Sequence, residues 1–126
     1  MTFDRIRRMC WYILLYFKNI RCGNNLILYQ PVYIDNGNGG FIEIEDNLSL
    51  SHNVTIDSSN LGKIHICDNV YIGPNTVIRA SNHNTANHSQ HILGQIFIDS
   101  DVWIGANCVI LPNVRIGRGS AVLVQS

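Results

Sequence analysis

Every sixth residue over most of this chain is aliphatic, a spacing that neither a helix nor an ordinary strand produces. The column runs Ile44, Leu50, Ile56, then Ile66, Ile72, Ile78, then Ile98, Ile104, Ile110, Ile116 and Val122. An amphipathic helix would place apolar residues three and four apart, and a sandwich strand would alternate them over a longer run. Three positions after each anchor except the last stand Asn47, Asn53, Ser59, Asn69, Asn75, Ser81, Asp101, Asn107, Asn113 and Gly119. Asn, Asp and Gly meet the smallest penalty in a left-handed backbone conformation, so these positions read as corners. The next residue is small or β-branched (Leu48, Val54, Val70, Thr76, Val102, Cys108, Val114 and Ser120, with Asn60 and Asn82 as exceptions) and suits an inward place beside the anchor. Short strands joined by tight corners define an all-β solenoid whose coils stack their backbone hydrogen bonds.

Two interruptions break the period. Four extra residues fall between Ile56 and Ile66, and a longer excursion, residues 84–97, separates the hexad of Ile78 from that of Ile98. Segments thrown out from a rigid scaffold are where binding and chemistry collect. Ahead of the solenoid, Phe3 to Ile20 reads as an α-helix, with Thr2 as N-cap and Gly23 as its stop. The chain therefore divides into an N-terminal helix, residues 1–23, and a β-helix domain, residues 24–126. At 126 residues a second core is not expected.

The helix has a broader apolar face than capping one coil requires, formed by Ile6, Met9, Cys10, Ile13, Leu14 and Phe17 and widened by Trp11, Tyr12, Leu15 and Tyr16. With Arg5, Arg7, Arg8, Lys18 and Arg21 around it, two destinations stay open: packing on the solenoid or a neighbouring subunit, and contact with a membrane surface. The apolar run from Met9 to Phe17 is about half of what a spanning helix needs, and no cleavage site follows it. A cytoplasmic protein is expected, at most peripheral to the inner membrane face. Net charge is zero and charged residues make up 14% of the chain, which disfavours a nucleic-acid partner and leaves self-association unopposed. Cys10, Cys22, Cys67 and Cys108 form no paired motif and are expected as reduced thiols.

Two stretches bear on chemistry. Val102-Trp103-Ile104-Gly105 followed by Leu111-Pro112-Asn113-Val114-Arg115-Ile116-Gly117 resembles the signature of hexapeptide-repeat acetyltransferases. Ile72-Gly73-Pro74-Asn75 followed by Arg79-Ala80-Ser81-Asn82-His83 is similar to the stretch where galactoside, maltose and polysaccharide O-acetyltransferases carry their catalytic histidine. The resemblance covers roughly residues 31–126 and implies a left-handed parallel β-helix, a homotrimer, and acetyl-CoA as co-substrate in a groove between subunits. The implied acceptor is a hydroxyl of a sugar or glycan precursor, with the basic aromatic helix most similar to members of surface-polysaccharide pathways.

On the residues alone His83 is a polar residue at a loop mouth; the resemblance makes it the general base, a role worth about 10²–10⁴ in rate. His88 and His91 lie further along the loop and read as solvated rather than catalytic, with orienting the acceptor as the role open to either, His88 first. His52 and His65 read as structural surface residues. Trp103 should face outward, where trimer packing and contact with CoA are alternatives. Gly105 and Ala106 open the next hexad, and the resemblance places an N–H near Ala106 on the thioester oxygen. Relatives contact the acceptor near the positions of Ser51 and Asp57, and hold CoA with a C-terminal strand that maps onto Val124.

Two other classes share such a solenoid. In γ-type carbonic anhydrases the paired zinc histidines would fall at Ala106 and Leu111, neither a ligand, so no metal is expected. A non-catalytic trimeric scaffold is the second alternative. After Val124 only Gln125 and Ser126 follow, and no Lys occurs after Lys63, which suggests a shortened version of a longer enzyme with weakened donor binding.

Overall fold

The computed structural model describes residues 3–81 and 94–124. One helix, α1 (Phe3–Phe17), precedes a three-sided parallel β-solenoid of about four turns. Side A stacks β1 (Arg21–Cys22), β4 (Phe41–Ile44), β7 (Lys63–Ile66), β10 (Gln95–Ile98) and β13 (Arg115–Ile116). Side B stacks β2 (Ile27–Leu28), β5 (Leu48–Leu50), β8 (Val70–Ile72), β11 (Trp103–Ile104) and β14 (Ala121–Val122). Side C stacks β3 (Val32–Asp35), β6 (Val54–Asp57), β9 (Val77–Arg79) and β12 (Val109–Ile110).

The anchors meet one another across the coils. Cys22, Ile44, Ile66, Ile98 and Ile116 stand in one row on side A. Leu28, Leu50, Ile72, Ile104 and Val122 form the row on side B. Ile34, Ile56, Ile78 and Ile110 complete the interior on side C. Ile56, Ile66, Ile72, Ile78, Ile98 and Ile104 are fully buried, each contributing about 1.5–3 kcal/mol of transfer free energy.

The corners follow the expected chemistry. Asn47, Asn53, Asn69, Asn75, Asp101, Asn107 and Asn113 have φ between 57° and 69°, and Gly119 has φ 76°. Some side chains form rungs between coils: Asn53 Nδ2 donates to Asn75 Oδ1 at 2.9 Å, and Asn69 Nδ2 to Asp101 Oδ1 at 3.2 Å. Ser59 departs from this pattern, because the corner it was expected to turn is made by Asn60 at φ 56° and Leu61 at φ 66°.

A further coil precedes the one that opens at Ile44. Its anchors, Cys22, Leu28 and Ile34, escape a search for aliphatic hexads because one is a cysteine and because four-residue insertions interrupt the step. Equivalent positions lie 22 residues apart in the first coils, 32 apart across the loop and 18 apart in the last. All the extra residues leave at one edge, between sides C and A, at 36–40, 58–62 and 80–94. Gln95 to Phe97, expected within the loop, belong to β10.

The helix ends before Ile20 and does not need Gly23. Asn19 turns left-handed at φ 57°, Asn19 N–H donates to Tyr16 O at 3.0 Å, and Ile20 N–H to Leu15 O at 2.9 Å. These are the two bonds of a Schellman motif, and its customary apolar pair, Leu15 and Ile20, is buried against the first coil. Three polar contacts hold α1 there: Leu26 N–H to Tyr12 Oη at 2.9 Å, Lys18 Nζ to Ile34 O at 2.8 Å, and Asn36 Nδ2 to Lys18 O at 2.6 Å. Met9, Ile13, Tyr16 and Phe17 remain exposed on the outer face of α1. Among the described residues no helix is long and apolar enough to cross a membrane.

Candidate active site

Stacking decides where each expected site residue falls. Trp103 lies on the outer face of side B, 47% exposed, with its indole stacked on Tyr71 of the preceding coil at 5.9 Å between centroids and 11° between planes. The pair borders an open depression of about 410 Å³ lined also by Ser49, Asn47, Asn69 and Asp101. Aromatic faces of this kind take sugar rings or planar heterocycles. Sequence reasoning found Trp103 but not Tyr71, whose place beneath the indole became visible only once the coil of 32 residues was aligned.

At the edge between sides B and C, Ser51 N–H donates to Ile72 O, Gly73 N–H to Ile104 O, and Gly105 N–H to Val122 O. A Cβ on Gly73 would stand 2.6 Å from Gly105 C and 2.8 Å from Ala106 N, so only glycine lets these peptides stack. Inside the solenoid the buried Thr76 hydroxyl donates to Gly105 O at 2.8 Å and accepts from Cys108 N–H at 3.2 Å. A trans peptide sets its N–H opposite its C=O. With the Gly105 carbonyl turned inward, the Ala106 N–H is turned out at an exposed corner, and among the described residues it has no acceptor. Thr76 read from sequence only as a small inward residue. The usable signal was a hydroxyl where the neighbouring coils carry Val54 and Cys108.

The other edge gathers a second group. Asp57 pairs with Arg79 on the next coil, Arg79 Nε to Asp57 Oδ2 at 3.2 Å, and Asp57 O accepts from Ala80 N–H at 2.8 Å. Asp57 thus stands at the root of the long loop, beside the buried Ser81. His83, His88 and His91 lie outside the described residues. Asp57 and the loop root are therefore at the C/A edge, while Ser51, Gly105 and Ala106 are at the B/C edge, a full side of the solenoid away. Val124 is exposed beyond β14, with Leu123 also exposed. His52 Nδ1 lies 2.6 Å from Gln30 O, in keeping with a structural surface residue.

The fold defines a β-solenoid protein with a helical cap on its first coil. Comparison with family models, with curated proteins and with solved structures gave no match to this chain.

Proposed function

We propose that this chain is an acyltransferase that moves an acetyl group from acetyl-CoA to a hydroxyl of a sugar or glycan precursor. The observation that carries the reading is the Ala106 N–H, held outward by the inward tether of the Gly105 carbonyl and free to bind an oxyanion. It falls at the position where the resembling acetyltransferases hold the thioester oxygen. In the proposed reaction the acceptor hydroxyl oxygen attacks the thioester carbon while His83 takes the hydroxyl proton. The Ala106 N–H stabilises the oxyanion, the carbon–sulfur bond breaks, and the imidazolium returns its proton to the CoA sulfur.

The separation of the two edges by side C supports a site completed between subunits, with the loop of one copy facing the Ala106 corner of another in a trimer. Trp103 with Tyr71, and Val124, are assigned to CoA; Ser51, Asp57 and His88 to the acceptor. The outer apolar face of α1 supports contact with a membrane surface for a lipid-linked acceptor. The deciding experiment incubates the chain with acetyl-CoA and a panel of sugars and nucleotide-sugars and follows free thiol release. Acceptor-dependent release supports the reading, and hydrolysis alone with every acceptor rejects it.

A second reading, a non-catalytic trimeric scaffold, is favoured by the exposed Val109, Leu111, Leu123 and Val124, which a neighbouring copy could bury without any chemistry. A trimer that neither binds acetyl-CoA nor releases thiol would select it.

A further inference from the structure

We propose that Glu45, His65 and Cys67 form a zinc-binding site that ties the second coil of the solenoid to the third. His65 Nε2 lies 2.7 Å from Glu45 Oε2 and 4.0 Å from Cys67 Sγ, and the three donor atoms all fall within 4.8 Å of one another. They come from different coils: Glu45 follows β4, while His65 and Cys67 flank the anchor Ile66 on β7. Parallel stacking at the end of side A therefore builds a cluster that no sequence motif announces, because its members lie too far apart to resemble a metal-ligand spacing.

The donor chemistry fits the metal. Thiolate, imidazole and carboxylate together suit a borderline ion such as Zn²⁺, whereas magnesium and calcium select oxygen alone. Tetrahedral bonds of about 2.0–2.3 Å hold neighbouring donors roughly 3.3–3.7 Å apart. Against that range His65 stands too near Glu45 and too far from Cys67, each by about half an ångström, so closing on an ion takes a shift of the imidazole towards Cys67 together with a turn of the partly exposed Glu45 side chain towards the sulfur. Cys67 is buried at 8% exposure, while the side chains of His65 and Glu45 are 36% and 39% exposed. An ion would thus have a fixed inner ligand, two ligands at the rim and a fourth position open to water.

The surroundings favour a cation. The carboxylates of Glu45, Asp99 and Asp68 place negative charge around the Cys67 sulfur. A bare thiolate is opposed by this field, and a dication is attracted by it. As the sulfur–zinc bond forms, the thiol proton passes to the buffer. Arg21, Lys63 and Arg115 are the cations on the strands of this side; the Arg115 guanidinium is engaged 4.5 Å from the centroid of Phe97. Phe97 meets the His65 ring edge-on at 5.3 Å, a contact that limits how the imidazole can turn.

The test uses the full chain, stripped with chelator and kept reduced, and titrated with Zn²⁺ by calorimetry and with Co²⁺ by absorbance. One ion per chain is expected, with a thiolate-to-cobalt charge-transfer band in the near ultraviolet. Cys67→Ser abolishes that band, and His65→Gln and Glu45→Gln, both at partly exposed positions on the rim where folding is preserved, weaken zinc binding by about 100-fold and about 10-fold or more. A variant lacking His83, His88 and His91 retains the band. Equal zinc affinity in the wild type and all three site variants, a cobalt complex without the thiolate band, or loss of the band only with the loop histidines would each overturn the proposal.

Discussion

The hydroxyl of Thr76, buried inside the solenoid, donates a 2.8 Å hydrogen bond to the carbonyl of Gly105 on the next coil. This single bond fixes the direction of the following amide. Thr76→Val keeps the shape of the side chain and removes the tether, so the Ala106 N–H loses its fixed aim. Under the acyltransferase reading kcat falls about tenfold with KM little changed, less than the 10²–10³ that deletion of an oxyanion donor costs. Thr76→Ser restores it. Because Cys108 N–H also loses its acceptor, Thr76→Val lowers stability by about 1–3 kcal/mol in denaturant titrations. A purely structural role for Thr76 would show the stability loss without the change in kcat.

Trp103→Ala tests the aromatic pair on side B. Its half-exposed indole contributes little to the core, so far-UV circular dichroism is unchanged and stability drops by about 1 kcal/mol. Under the acyltransferase reading, acetyl-CoA affinity measured by calorimetry is expected to weaken about tenfold, with the mass of the proposed trimer retained in sedimentation. Dissociation of the trimer with unaltered affinity would instead assign the indole to subunit packing.

Under the same reading, His83→Ala is expected to leave the fold and the proposed oligomer intact and to lower turnover by about two or more orders of magnitude. His88→Ala changes turnover little and acts on KM for the acceptor. Equal losses from the two variants would move the proton transfer away from His83.

The corners make a prediction about stability. Asn53 sits at φ 61° and donates to Asn75 Oδ1. Asn53→Gly loses only the rung between coils, whereas Asn53→Ala also meets the left-handed penalty of about 1–2 kcal/mol. Urea melts should rank wild type above the glycine variant and the glycine variant above alanine. Leu61, at φ 66° and 39% exposed, has the opposite defect, and Leu61→Asn should gain about 0.5–1 kcal/mol.

Cys22 predicts how the fold responds to base. Burial, and then the charge of Asp46, push its thiol from 9.0 up to about 11. The folded chain therefore holds a proton that the unfolded chain releases. Stability from this group is complete below pH 9 and is lost as pH rises towards 11 and beyond. Across that window the fall in unfolding free energy with pH should be shallower in Cys22→Ala than in wild type. Identical slopes would mean that the thiol is not protected from ionisation.

The solenoid was legible because Ile72, Ile78 and Ile104 repeat a physical requirement, an apolar side chain every time the chain returns to the same face. Asn69 and Asn107 were legible for a related reason, since few residues accept their backbone geometry. The first coil was hidden because Cys22 breaks the aliphatic column. Tyr71, Thr76 and the grouping of Glu45 with His65 and Cys67 were hidden because they depend on which coil lies beside which. That alignment is shifted by 22 or 32 residues rather than 18 wherever the C/A edge carries extra chain. His65 read as a lone surface histidine for the same reason.

The placement of every insertion at one edge means that two edges of the molecule act as a ruler while the third acts as a socket. Chain added at 36–40, 58–62 or 80–94 leaves the neighbouring rungs in register, because β4, β7 and β10 still land on the same side. New segments can thus be grafted at this edge, and old ones shortened, without the core having to be solved again. Under the acyltransferase reading, a change of acceptor would need a change in one loop while the Ala106 corner stayed as it is. Diversity and constancy would then occupy different edges of the same rod.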